Sequence, residues 1–137
     1  MAKPHVSNWT FLTFVLLLSA LAVAQTASPD PKSVPVVDGA LGPCSADFTV
    51  TDDAGAPLYN AKVKVHITYG FMQARKLDLE VGTNADGKAR VTGLPAKTKF
   101  GLTFHASEGD RTAEVFDDTA KTCQTQFTMK LGKTTPK

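Results

Sequence analysis

The sequence has few cysteines, few aromatic side chains and little excess charge of either sign. Two of its 137 residues are cysteine, 8% are aromatic, and the formal net charge is +2. The basic residues are scattered, so the chain lacks the positive patch that binds nucleic acids and anionic membranes. We therefore expect no nucleic-acid partner. Beyond residue 24 the chain also lacks helical periodicity, which argues against a helical domain.

Motifs of common catalytic sites are missing as well. The chain has no Gly-x-Ser-x-Gly elbow and no zinc-protease histidine motif. Paired aspartates occur at positions 52–53 and 117–118, but the ligand spacing of an EF-hand is absent, and turn chemistry is sufficient to explain them. We expect a non-enzymatic protein with no catalytic residues, no resident metal and no cofactor.

The longest apolar run lies at the N-terminus. Residues 11–24 are almost entirely apolar, Lys3 and His5 precede them, and the run ends in Ala22-Val23-Ala24. This order is typical of a secretory signal peptide, residues 1–24. A membrane anchor fits less well, because a spanning helix needs roughly 20 apolar residues. We predict cleavage after Ala24, no membrane span afterwards, and a secreted or periplasmic protein.

The rest of the chain divides into three parts. Residues 25–41 contain Pro29, Pro31 and Pro35 among small and polar residues, which predicts an extended linker or an ordered arm. Residues 42–131 form the predicted domain, and residues 132–137 form a C-terminal tail.

The two cysteines, Cys44 and Cys123, bracket the predicted domain. In an exported protein, two cysteines without a third favour a disulfide. A metal pair is the alternative, but the cysteines lack Cys-x-x-Cys spacing and nearby histidines. A reactive free thiol does not suit an oxidising compartment. We predict a bridge between Cys44 and Cys123.

Apolar residues recur at every second position throughout the predicted domain. The clearest run is residues 61–69, whose apolar members share one face while Lys62, Lys64, His66 and Thr68 share the other. The same period predicts that Phe100 faces inward together with Leu102 and Phe104. Seven such segments, separated by turns rich in Gly and Asp, predict an all-β, seven-stranded antiparallel sandwich. A type I turn at residues 84–87, with Gly87 in the left-handed region, is expected to close a hairpin.

Two motifs resemble a known family. Residues 48–65, FTVTDDAGAPLYNAKVKV, and residues 82–104, GTNADGKARVTGLPAKTKFGLTF, resemble carboxypeptidase regulatory-like domains, which are transthyretin-like or prealbumin-like β-sandwiches. The resemblance spans roughly residues 44–131 and implies an Ig-like or prealbumin-like sandwich that serves as an extracellular or periplasmic, usually non-catalytic module. Related transthyretin-like hydrolases end in a Tyr-Arg-Gly-Ser type of tail, which this chain lacks.

One segment interrupts the alternation and is the candidate contact site. Residues 69–76 place Tyr69, Phe71, Met72 and Arg75 together, and such side chains are enriched at the centres of protein interfaces. The alternative is that Phe71 covers one end of the sandwich. We expect an exported binding or structural module with a protein or carbohydrate partner in the cell envelope, acting through loops or an open sheet edge.

Two histidines carry the main rival interpretation. His66 and His105 have the outward parity of their strands, and they meet if those strands pair. The simpler interpretation is two solvated imidazoles on a sheet face. The rival functions are a small-ligand or copper carrier that uses these histidines with Met72 or Met129, and a transthyretin-like hydrolase. Met129, however, has the parity of a core residue.

Overall fold

The computed structural model describes residues 30–133. The predicted signal peptide, residues 25–29 of the proline-rich segment and residues 134–137 lie outside the described residues. Within residues 30–133, no helix is long and apolar enough to cross a membrane. These residues form nine strands: β1 Val36–Asp38, β2 Cys44–Thr51, β3 Lys62–Tyr69, β4 Arg75–Gly82, β5 Lys88–Leu94, β6 Leu102–Glu108, β7 Arg111–Asp117, β8 Gln124–Lys130 and β9 Gly132–Lys133.

The strands form two sheets that pack face to face, so the predicted all-β sandwich is confirmed. Sheet 1 has the order β1-β5-β2-β8, and sheet 2 has the order β4-β3-β6-β7-β9. The prediction of seven strands was wrong by two. The additional strands, β1 in the proline-rich arm and β9 after residue 131, have three and two residues. Strands this short are too brief to show a period of two.

The interior follows the alternation of the sequence. In β2 every second residue is buried, and in β3 the valines and Ile67 face inward while Lys64 and His66 are exposed. Successive side chains of a strand point to opposite faces, so an alternating segment places one set in the core. The largest fully buried side chains are Phe48, Phe104, Ile67, Leu94, Met129, Leu131, Val50, Val63, Val91 and Cys44.

The expectation of a purely antiparallel sandwich was wrong for sheet 1. In that sheet β1 runs parallel to β5, and β2 runs parallel to β8 over Ser45 to Thr51. A strand with one face buried alternates in the same way whether its neighbour is parallel or antiparallel. Its pattern therefore specifies the inner face and leaves the direction of its neighbour open.

The turn at residues 84–87 adopts the expected local shape but does not close a hairpin. Gly87 has a φ of 72° and donates its N–H to the Asn84 carbonyl at 3.0 Å. The strands on either side, β4 and β5, belong to different sheets. The buried Asn84 side chain organises this corner, because its Oδ1 accepts the N–H groups of Asp86 and Lys88. Its Nδ2 donates to the carbonyl of Lys32 in the arm.

The predicted disulfide is present. Cys44 and Cys123 are bonded across 79 positions of sequence, and Cys44 is fully buried. The bond links the starts of β2 and β8, which are neighbours in sheet 1, and the N–H of Ser45 donates to the Cys123 carbonyl at 2.8 Å. The disulfide therefore connects two strands of one sheet that are far apart in the chain.

Candidate binding surface

The candidate contact segment is the tip of a regular hairpin. β3 and β4 pair antiparallel over their full lengths, and the last pair is Tyr69 with Arg75. Residues 70–74, named here the hairpin tip, connect the two strands. Phe71–Gln73 within it is a tight turn with non-helical backbone angles at Met72. Tyr69 and Arg75 thus lie opposite each other at the base, and Phe71 and Met72 lie beyond them.

The backbone of the hairpin tip takes conformations that its residues rarely adopt. Met72 and Gln73 have φ values of 53° and 56°, and Gly70 has a φ of 81°. Two consecutive residues with positive φ are typical of a type I′ turn, which normally uses Asn-Gly. The N–H of Ala74 donates to the Phe71 carbonyl at 3.2 Å, and the Thr68 hydroxyl donates to the Gln73 Oε1 at 2.8 Å.

The side chains of the hairpin tip are turned outward. Phe71 is 88% exposed and Met72 is 83% exposed. The alternative that Phe71 covers the end of the sandwich is therefore not what the structure shows. Exposing two adjacent apolar side chains to water is unfavourable. Apolar side chains on surface loops are common at sites that bind a partner.

A depression lies beside the hairpin tip on the outer face of sheet 2. β3 pairs with β6 only along Lys62 to Val65, so the two strands separate further along β3. The loop at residues 95–101 borders the gap, which has a volume of about 230 Å³. Its lining comprises His66, Thr68, Gln73, Thr98, Lys99, Phe100, Gly101, Leu102, Thr103 and His105.

Phe100 was predicted to face inward, and that prediction was wrong. Phe100 is 72% exposed, with the Lys99 ammonium 5.1 Å from its ring centre. β6 begins only at Leu102, and Gly101 before it has a φ of 71°. A left-handed residue breaks the pleat, so the parity of β6 does not extend back to Phe100. Sequence reasoning therefore missed an exposed aromatic, although Gly101 was the signal for it.

Both histidines lie on this outer face, as their parity indicates. His66 Nδ1 lies 2.6 Å from Asp78 Oδ1, and His105 Nδ1 lies 2.8 Å from Glu114 Oε1. Each pair is cross-strand, between β3 and β4 and between β6 and β7. Lys64 is directly opposite His105 and forms an ion pair with Glu80 at 3.2 Å. Within residues 30–133, no group of three or more His, Cys, Asp or Glu is placed to hold a metal.

Among residues 30–133, two groups have shifted pKa values, Arg90 and Asp117, and neither lies on this outer face. On the outer face of sheet 1, Arg90 donates to both carboxylate oxygens of Asp47, and this hydrogen bonding raises the pKa of Arg90. At the end of β7, burial raises the pKa of Asp117, although the Thr125 hydroxyl donates to it at 2.9 Å.

Solved structures with similar folds share little sequence with this chain. One is 3-chlorocatechol 1,2-dioxygenase from Rhodococcus opacus 1CP, with 15% identity and a TM-score of 0.45 over 74% of this chain and 64% of that one. Another is chlorocatechol 1,2-dioxygenase from Pseudomonas putida, with 12% identity and a TM-score of 0.46 over 73% of this chain and 67% of that one. This chain thus spans less than two thirds of the length of the Rhodococcus enzyme.

A pilin gives a weaker similarity. The shaft pilin SpaA from Lactobacillus rhamnosus GG has 12% identity and a TM-score of 0.38, over 69% of this chain and 49% of that one. No protein-family model matches the sequence. No curated protein matches it either.

Proposed function

We propose that the protein is an exported, non-enzymatic binding module that contacts a protein partner through the hairpin tip. The observation that carries this proposal is the exposure of Phe71 and Met72 on a turn whose backbone is strained at Met72 and Gln73. Phe, Met and Arg are enriched at interface centres, and Arg75 lies at the base of the same tip. The partner surface that fits is an apolar pocket with an acidic rim.

The strain supports a functional role for this turn. A non-glycine residue in the left-handed region costs roughly 1–2 kcal/mol, and such strained conformations concentrate at functional sites. An Asn-Gly turn would connect β3 and β4 without that cost. Met72 and Gln73 fit this turn less well than Asn-Gly would. A sequence that is unfavourable for folding is expected where a side chain is needed to contact a partner.

The disulfide supports export. Bonds such as that between Cys44 and Cys123 form and persist in oxidising compartments and are rare in the cytosol. Residues 1–24 have the order of a secretory signal peptide, as described above. The proposed partner is therefore a protein of the same exported compartment.

Site-specific photo-crosslinking tests the proposed contact. A photoreactive amino acid at position 72 should capture one partner of defined mass in the native compartment. The matched control carries the same group in place of Tyr59, which is 66% exposed but precedes β3 and so lies at the opposite end of that strand. Equal capture from both positions, or capture from position 59 alone, would refute the proposal.

Substitution provides a second measurement once the partner is in hand. Phe71→Ser with Met72→Ser should weaken binding at least tenfold, because two exposed apolar side chains at the centre of the contact are removed. Tyr59→Ser should leave the affinity within twofold. An unchanged affinity of the double variant would exclude the hairpin tip as the contact surface.

A further inference from the structure

The outer face of sheet 2 has a second feature that partner binding by the hairpin tip does not use. His66 on β3 and His105 on β6 lie on neighbouring strands, and His66 is two residues along β3 from Lys64, the direct neighbour of His105. Such diagonal neighbours have Cα atoms about 7–8 Å apart. Both rings border the depression beside the hairpin tip. Both histidines also border a second depression of about 470 Å³, which Lys64, Asp78 and Glu80 line.

We propose that His66 and His105 bind one late divalent transition-metal ion, preferably Cu²⁺, through their Nε2 atoms. A metal about 2.0–2.1 Å from each nitrogen requires the two Nε2 atoms within about 4 Å of each other. His66 and His105 both border the same two depressions, so their rings face a shared space. Imidazole suits copper, nickel and zinc, and copper(II) binds most tightly of these to a given nitrogen site. Water completes the coordination, because the site offers two protein ligands.

The carboxylates set the protonation that metal binding requires. An ionised carboxylate only accepts hydrogen bonds, so the Nδ1 that faces Asp78 or Glu114 carries the proton. The neutral ring then has its lone pair on Nε2. The Nδ1 atoms meet the carboxylates, so each Nε2 lies on the side of its ring away from Asp78 or Glu114. Metal-binding histidines usually donate their other ring N–H to a carboxylate in this way.

The charges around the two histidines are mixed. Asp78 and Glu114 meet the two rings, Glu80 is paired with Lys64, and Lys99 borders the first depression. Each histidine–carboxylate pair spans two strands, so the backbone pairing of the sheet positions all four side chains. Asp78 and Glu114 are therefore positioning residues, which act on the metal through the histidines.

Titration of the full-length chain with Cu²⁺ alone tests the site. We expect one ion per chain by calorimetry, and two nitrogen ligands by electron paramagnetic resonance. His66→Asn and His105→Asn should each abolish tight binding and leave one nitrogen ligand at most. Asp110→Asn, in the exposed β6–β7 turn, is the matched control, and it should bind copper as the parent does. Undiminished binding by His66→Asn and His105→Asn, or the absence of binding by the parent chain, would overturn the proposal.

A pair of carboxylate variants separates positioning from general charge. Asp78→Asn and Glu114→Gln should lower the copper affinity about ten- to a hundredfold. Glu80→Gln removes one negative charge from the same strand as Asp78, but Glu80 pairs with Lys64, so its effect should be less than threefold. Equal losses of copper affinity in all three variants would mean that the carboxylates act only through their negative charge. That result would overturn the positioning role of the Nδ1 contacts. Circular dichroism and urea unfolding check that each variant is folded.

This test is independent of the proposed partner contact. The substitutions on sheet 2 leave Phe71 and Met72 in place, and the crosslinking variants leave both histidines in place. Failure of copper binding would therefore not affect the partner proposal, and failure of crosslinking would not affect the metal proposal.

Discussion

At the residue scale, Phe48 and Phe104 lie at the centre of the core, and the partly buried Phe127 packs against it. The ring centres of Phe48 and Phe104 are 4.8 Å apart, and Phe127 lies 5.7 Å from Phe48. Phe104→Ala should lower the free energy of unfolding by about 3–5 kcal/mol, because the lost contacts leave a cavity. Urea unfolding measures this value. Phe100→Ala is the matched control, and its effect should stay within about 0.5 kcal/mol because that ring is exposed. Similar losses for both would contradict the placement of Phe100 at the surface.

Asp117 gives a residue-scale prediction for pH. Burial raises its pKa in the folded protein, so the folded state holds this proton at pH values where the unfolded state has lost it. The free energy of unfolding therefore falls as the pH rises from the ordinary aspartate pKa of about 3.9 through the raised pKa of the folded state. Asp117→Asn should lack this loss, so its stability relative to the parent should increase between about pH 3 and about pH 7.

Urea unfolding at both pH values checks the Asp117 prediction. Asp110→Asn, in the exposed β6–β7 turn, removes the same charge and controls for the net charge of the protein. A difference between parent and Asp117→Asn that does not change with pH would contradict the prediction.

At the element scale, the hairpin tip should be more stable with ordinary turn residues. Met72→Asn places a residue that tolerates the left-handed region at a φ of 53°. We expect the free energy of unfolding to rise by up to about 1 kcal/mol, because part of the backbone strain is relieved. Thermal and urea unfolding measure the change. Phe71→Asn, at a position without positive φ, is the control and should give no gain. A destabilised Met72→Asn would mean that the turn is not strained.

The corner between β4 and β5 depends on one side chain. Asn84→Ala leaves the N–H groups of Asp86 and Lys88, and the carbonyl of Lys32, without their partner. Since Asn84 is buried, we expect a loss of about 2–4 kcal/mol by urea unfolding. Asn84→Asp keeps the oxygen that accepts these N–H groups but lacks the NH₂ donor. Its loss of unfolding free energy should therefore be smaller than that of Asn84→Ala. The reverse order would show that the contact to the arm matters more than the turn itself.

At the scale of the whole molecule, the disulfide restricts most of the chain in the unfolded state. The bond between Cys44 and Cys123 closes a loop with a sequence separation of 79. Chain-entropy estimates give about 4.5 kcal/mol for such a loop. Changing both cysteines to Ala should therefore lower the free energy of unfolding by about 3–5 kcal/mol. Parent protein with its disulfide reduced is the control, and its free energy of unfolding should fall by a similar amount. A loss below about 1 kcal/mol would mean that the pairing of β2 with β8 holds without the bond.

Several features of the molecule were readable from the sequence alone. The inner faces of β2 and β3, the outward parity of both histidines and the left-handed Gly87 were all predicted, because alternation and turn chemistry act over a few neighbouring residues. The disulfide was predicted for a different reason, since two cysteines in a chain that is expected to be exported have one available pairing. Its position within a single sheet was not.

Only the tertiary structure decided how these strands are arranged. It placed β4 and β5 in different sheets, made β2 parallel to β8, and joined β1 and β9 to the edges. It also brought Asp78 and Glu114 to the two histidines through strand registers that no local pattern encodes. Alternation records only whether each residue meets the core or water. Which strand lies beside another depends on contacts between residues far apart in the chain, and those are settled when both sheets pack together.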